Sequence, residues 1–195
     1  MGRIQVTAPG LIDTARRLVG AGKGLLAMDE SNGTCNKRFA ALGIAQTEEK
    51  RRAYRELIVT TSGLGDSISG AILYDETIRQ RTKGGTLFVE VLTAAGIVPG
   101  IKVDTGAKDL AGRPGEKITE GLDGLRDRLK EYAGMGARFA KWRAVITLGA
   151  VLPSRRCTTA KAPALARHAA PGQASGAVAN SRRSRPRAAP PPAGR

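Results

Sequence analysis

The chain has 195 residues, 41% of them hydrophobic and 4% aromatic, and a formal net charge of +15. That is the size of one ordinary domain, and no apolar run approaches the roughly 20 residues of a membrane helix. All 17 acidic residues precede residue 151 while nine of the 32 basic residues follow it, so the excess charge belongs mostly to the tail and does not mark the whole chain as a nucleic-acid binder.

The opening M-G-R-I-Q-V-T-A-P-G carries no apolar signal segment. Cys35 and Cys157 stand in no CxxC or Cys/His spacing, so no structural zinc is expected. This profile predicts a cytoplasmic protein with reduced thiols.

Leu11, Ala15, Leu18 and Val19 share one helical face, which Gly22 and Gly24 terminate. L-L-A-M (Leu25–Met28) follows as a short apolar strand. Thr47 is placed to cap a helix that holds Glu48 and Glu49 in its first turn and carries Leu57 and Ile58. The second strand is G-A-I-L-Y (Gly70–Tyr74). A helix around Glu90–Ala95 precedes the third, V-P-G-I-K-V-D (Val98–Asp104). Thr119 is placed to cap a helix with the stripe Leu122, Leu125, Leu129 and Tyr132. The fourth strand lies within G-A-R-F-A-K-W-R-A-V-I-T-L (Gly136–Leu148). K-G-G-T (Lys83–Thr86) and G-R-P-G-E-K (Gly112–Lys117) lack P-loop spacing and read as turns.

This alternation predicts an α/β fold with a parallel sheet. Roughly 40 residues per repeat is barrel spacing with insertions, and eight such repeats need more chain than is present. The expectation is the first half of a (βα)8 TIM barrel, about four βα units, left as an incomplete barrel. It spans residues 1–178. Residues 179–195 form an Arg/Pro/Ala-rich tail with too little apolar content to bury, and are expected to be disordered.

Three of the four strands carry ionisable residues at or near their C-terminal ends. Asp29, Glu30 and Ser31 close the first. Lys102 and Asp104 share a face of the third. Lys141 and Arg143 share a face of the fourth with Phe139, opposite Ala140, Trp142 and Ala144. In a βα barrel alternate residues point inward and the C-terminal ends form the mouth. On a single strand such charges read as structural ion pairs. Repeated on three, they point to an anion site that suits a doubly phosphorylated substrate. Spacing alone identifies the anion site but no reaction.

The same residues resemble class I fructose-bisphosphate aldolase. The first-strand signature is G-K-G-L-L-A-M-D-E-S-N-G-T-C-N-K-R-F (Gly22–Phe39). T-E-E-K-R-R-A-Y-R-E-L (Thr47–Leu57), G-A-I-L-Y-D-E-T (Gly70–Thr77), G-I-K-V-D-T-G (Gly100–Gly106), E-G-L-D-G-L-R-D-R (Glu120–Arg128) and F-A-K-W-R (Phe139–Arg143) follow in family order over about Ala8–Leu148. The family cleaves fructose 1,6-bisphosphate to dihydroxyacetone phosphate and glyceraldehyde 3-phosphate in glycolysis, through a lysine Schiff base and without a metal or other cofactor. The resemblance implies that Asp29 and Lys141 are catalytic, moving protons around the sugar hydroxyls. It implies that Lys102 and Arg143 line the pocket as cations, and that Ser31, Thr34 and Arg38 hold a phosphate. Thr34 stands where the family has Ser, and Met28 replaces a small residue.

A weaker match continues through Pro153–Ser154, A-L-A-R-H-A-A (Ala164–Ala170) and Q-A-S-G-A-V (Gln173–Val178). Pro163 and Pro171 cannot both occupy a first helical turn, so this helix is expected to be interrupted. His168 is expected at its surface. After Val178 the resemblance stops, and the strand bearing the Schiff-base lysine does not follow, as after a frameshift. The chain alone is then expected to be inactive and to self-associate through open barrel edges. The competing readings are a non-catalytic sugar-phosphate binder, or weak nucleic-acid binding through the tail, which has no aromatic residue to stack a base.

Overall fold

A computed structural model describes residues 8–20 and 22–184. Five parallel strands form one sheet in the order β1 (Gly24–Ala27), β2 (Ile68–Leu73), β3 (Val98–Lys102), β6 (Phe139–Val145) and β7 (Val178–Ser184). An antiparallel hairpin, β4 (Gly106–Asp109) with β5 (Lys117–Glu120), is inserted between β3 and β6. Strands adjacent in the sheet succeed one another in the chain, with helical segments between them. This is the winding of a βα barrel, carried part of the way round and left unclosed among the described residues.

Strand alternation assigns each face. Ala71 and Leu73 of β2, Ile101 of β3 and Ala140 and Trp142 of β6 belong to the main core. They pack under α3 (Glu48–Val59), α5 (Asp75–Arg79), α6 (Phe88–Ala94) and α7 (Leu125–Gly134). Ile72, Val98 and Phe139 point to the opposite, inner face. There Leu18 of α1 (Ala8–Leu18) covers them, so α1 plugs the inner face rather than joining the outer helices. Val19, expected on the same buried face, is 81% exposed because α1 ends at Leu18.

The inner face is built around the Phe139 ring. A Cβ on Gly100 of β3 would stand 2.3 Å from this ring, and one on Gly70 of β2 would stand 2.6 Å from Leu18 and 3.2 Å from Phe139. These two glycines let an aromatic ring and a helix lie directly on the backbone of the neighbouring strands.

Side-chain caps hold some of the helix starts. Ser31 accepts from the Thr34 amide at the start of α2 (Asn32–Ala41), and Thr47 does the same for Lys50 at α3. Thr119 does not cap a helix. It lies in β5, and α7 starts after Gly124, whose φ of 62° turns the chain. A short helix, α4 (Leu64–Ser67), leads into β2.

Three expectations about the C-terminal region are corrected. The helix α8 (Arg155–Ala174) runs through both Pro163 and Pro171. Thr159 and Arg167, whose carbonyls the prolines leave free, are exposed to water. Cys157, Lys161, Ala164, His168 and Gly172 form a continuous buried face on α8, and that packing offsets the lost hydrogen bonds. His168 is therefore fully buried, and its ring stacks on Trp142 with centroids 5.4 Å apart. The segment expected to be disordered from residue 179 is a strand through Ser184, pairing with β6 from Phe139↔Val178 to Val145↔Ser184. The remainder of the expected tail, 185–195, lies outside the described residues.

Gly100→Ala drives a methyl into a ring held between two strands, an overpacking of about 1–3 kcal/mol. A urea titration of the variant is expected to show its midpoint lowered with an unchanged slope. His168 supplies a second prediction. Burial pushes its pKa below the ordinary 6.5, and the Asp104 charge opposes that only in part. The unfolded chain takes up this proton more readily than the native one. Stability is thus complete above the ordinary value and is lost as pH falls through it and below. Stability should fall as the pH drops through about 6.5 and below, and His168→Phe should flatten that part of the profile.

Candidate active site

The C-terminal ends of β1, β2, β3 and β6 open on one cavity of about 510 Å³. Of the residues expected there, Asp29, Ser31, Thr34, Lys102, Lys141 and Arg143 all line it. Arg38 does not. It lies in the last turn of α2, where its guanidinium reaches Glu30 at 2.5 Å, and that hydrogen bond raises its pKa further.

At the centre, Lys141 Nζ stands 2.5 Å from Asp29 Oδ2, with both side chains about nine-tenths buried. Burial of the pair is tolerated because each charge has its partner within hydrogen-bonding distance. Lys102 Nζ lies 2.8 Å from Asp104 Oδ1 and also donates to the Asp104 carbonyl. Asp104 Oδ2 accepts from the backbone N–H of Arg143 at 3.2 Å, and the Arg143 carbonyl accepts from Thr119 Oγ1 at 2.6 Å. The Arg143 side chain enters no ion pair among the described residues.

The wall beside β2 carries groups that strand alternation did not single out. Tyr132 donates to Asp75 Oδ1 at 2.9 Å. Burial, then that hydrogen bond, pushes its phenol up to about 12, so it stays a neutral donor. Burial also raises Tyr74. Arg128 spans the base of the hairpin, donating to the carbonyls of Val103 at 3.0 Å and Gly121 at 2.5 Å. Tyr132 and Arg128 come from α7, whose apolar stripe marked a core face and gave no sign of polar groups reaching the strand ends.

The cavity therefore holds fewer free cations than the charge pattern implies. Lys141 and Lys102 are matched by Asp29 and Asp104, Glu30 by Arg38 and Arg55, and Asp75 by Arg79. The lining cations without a carboxylate partner among the described residues are Arg128 and Arg143. The start of α2 adds the hydroxyls of Ser31 and Thr34, whose Oγ and Oγ1 lie 3.1 Å apart. Such an arrangement can hold an anion at its rim while keeping a buried ammonium–carboxylate pair for proton movement. No cluster of three or more metal-ligating side chains occurs among the described residues.

A parallel βα winding with its polar groups gathered at the strand C-termini defines a βα-barrel enzyme domain. The comparisons make the class specific. The family model for class-I fructose-bisphosphate aldolase matches residues 10–180. A probable class 1 fructose-bisphosphate aldolase of Xanthomonas axonopodis pv. citri is 61% identical over 168 residues, covering 86% of this chain and 50% of the relative. Aldolases of Arabidopsis thaliana are similar too: the chloroplastic aldolase 3 is 51% identical over 86% of this chain and 43% of its own length. The cytosolic aldolase 5 is 49% identical over 88% of this chain and 48% of its own length. Among solved structures, the Plasmodium falciparum aldolase in complex with TRAP and a small-molecule inhibitor superposes with a TM-score of 0.86. It is 43% identical, over 93% of this chain and 53% of that one. The chain belongs to the class I fructose-bisphosphate aldolase family, aldehyde-lyases of glycolysis, and spans about half the length of the curated relatives it matches.

The buried pair gives a direct test. Asp29→Asn or Lys141→Met leaves one charge buried without its partner and should cost about 3–5 kcal/mol, whereas the double variant should recover much of that. Equilibrium unfolding of the three variants measures the coupling.

Proposed function

We propose that this chain carries part of the sugar-bisphosphate site of an aldolase that cleaves fructose 1,6-bisphosphate reversibly to dihydroxyacetone phosphate and glyceraldehyde 3-phosphate. The observation that carries the reading is the buried Asp29–Lys141 pair, set in one cavity with Arg143 and the first turn of α2. In this reading Asp29 and Lys141 exchange protons with the sugar hydroxyls. Ser31 and Thr34 receive one phosphate, and Arg143 and Lys102 supply positive charge. Arg38 joins them by leaving Glu30.

Cleavage of a carbon–carbon bond needs an electron sink, which in this family is a lysine Schiff base. By the resemblance that lysine belongs to a strand later than those matched here. Lys141 is a poor substitute, because its ammonium is held against a carboxylate. The 195-residue polypeptide is accordingly proposed to bind the bisphosphate without turning it over, and to act in the cytoplasm. The outer edges of β1 and β7 are unpaired among the described residues, which favours self-association through them.

Calorimetric titration of the purified chain with fructose 1,6-bisphosphate tests binding, and an assay for released triose phosphate tests turnover. Binding that weakens with Arg143→Ala, with no turnover and no borohydride-trapped adduct, is the expected result. Turnover with an adduct on Lys141 would overturn the division of roles, and absence of binding would remove the site. Sedimentation of the same sample should show dimers or larger species, and a monomer at all concentrations would refute edge pairing.

A further inference from the structure

The β3–β6 ladder does not end as a regular parallel ladder should. Its pairs run Gly100↔Phe139, Ile101↔Ala140 and Lys102↔Lys141, and the Val103 amide then donates to the Lys141 carbonyl at 3.1 Å. In a parallel ladder the next rung would take the Arg143 N–H to the Val103 carbonyl. That carbonyl is occupied instead by the Arg128 guanidinium, 3.0 Å away. The Arg143 N–H turns to Asp104 Oδ2. A carboxylate has replaced a backbone acceptor at the point where β3 leaves the sheet for the hairpin.

The same carboxylate has a second partner. Its other oxygen, Oδ1, faces the Lys102 ammonium at 2.8 Å, and the side chain as a whole has no exposed surface. A buried carboxylate is costly unless its charge is matched, and here one ammonium and one amide match it. Asp104 thus lines the cavity in contact with both residues that carry the cations assigned to the anion site. The hydroxyl of Thr119 secures the other side of Arg143 through its carbonyl.

We propose that Asp104 is the positioning residue of the anion site. One oxygen sets the Lys102 ammonium, and the other sets the backbone from which Arg143 reaches the cavity, without Asp104 touching the ligand itself. This rests on the sugar-phosphate reading of the cavity, but its central prediction does not need a ligand. The role requires an acid at this position. Asparagine keeps an acceptor for the Arg143 amide and loses the ion pair, whereas alanine loses both.

The experiment is amide hydrogen exchange by NMR on the full chain, with the Lys102 side-chain nitrogen resonance followed in parallel. Asp104→Ala should speed exchange at the Arg143 amide by about tenfold or more, the value of one lost hydrogen bond. The amides of Ala140 and Trp142 serve as internal references and should be unchanged. Asp104→Asn should leave Arg143 protected while shifting the Lys102 resonance. If the alanine variant loses protection throughout β6, the asparagine variant alone decides. An unchanged Lys102 resonance in Asp104→Asn, or an Arg143 amide still protected in a folded Asp104→Ala, overturns the proposal. Fructose 1,6-bisphosphate is then added to each sample. Tighter binding by wild type than by either variant is expected, and equal binding by all three refutes the positioning role. If wild type does not bind, the sugar-phosphate reading fails and with it the link to an anion. The exchange result still decides whether Asp104 sets the two cations.

Discussion

Two strands separate β1 from β6, and in a flat sheet three inter-strand steps of about 4.8 Å would hold them roughly 14 Å apart. Asp29, at the end of β1, and Lys141, in β6, are nevertheless in contact at 2.5 Å. The sheet must curl toward its inner face for them to meet, and the rest of the site depends on that curvature. A lysine stem supplies part of the reach. The close approach of the inner layer supplies more: Phe139 lies on the bare backbones of β2 and β3, at Gly70 and Gly100, where any side chain would push the strands outward. Residues without chemical function thus set the distance between those with it.

Charge pairing then determines what the cavity can hold. Four cations near one another would repel until an anion arrived. Here two of them, Lys102 and Lys141, are matched internally, which leaves the guanidinium groups of Arg128 and Arg143 to attract a ligand. Arg128 is itself occupied with backbone carbonyls at the hairpin base. Arg143 is the cation freest to meet a phosphate. Its backbone is fixed by Asp104 and Thr119 while its guanidinium has no ion pair among the described residues, an arrangement suited to a group that must wait in place and then close on a charge.

The parts of this structure legible in the sequence are those governed by side-chain periodicity. The strands near Leu25, Gly70, Val98 and Phe139, and the division of β6 into inward Phe139, Lys141 and Arg143 against outward Ala140, Trp142 and Ala144, follow from a period of two. The cap at Thr47 follows from residue type. Four of the seven expected site residues, Asp29, Lys102, Lys141 and Arg143, line one cavity for the same reason, since alternation at the strand ends aims them inward, whereas Ser31 and Thr34, implied by the resemblance, reach it from the start of α2. What escaped notice depends on where backbone groups find partners. Thr119 looks like a cap, yet its hydroxyl serves Arg143 from within a strand. The β4–β5 hairpin, G-A-K-D with K-I-T-E, has too little apolar alternation to announce itself. Asp104 is visible as a charge on the third strand. Its bond to Arg143 follows only from Arg128, 24 residues further along the chain, having taken the Val103 carbonyl.

The strand at 178–184 shows the limit of composition as a guide. V-A-N-S-R-R-S has neither the apolar content nor the alternation of a buried strand, and composition alone predicts disorder. It is nevertheless laid in register along the whole of β6. A parallel ladder is made by main-chain groups, so an unpaired edge can accept any extended segment that lacks proline and is brought alongside it. α8 brings it there. Its face from Cys157 to Gly172 is held on the sheet by the His168–Trp142 stack and by Lys161 donating to the Val145 carbonyl. The chain leaves α8 through Ala177, which is buried, with the Val178 amide already donating to Arg138. The register of β7 is therefore set before its own side chains contribute. The same reasoning applies to its outer edge, which is unpaired among the described residues and offers the kind of backbone template that β6 offered to β7.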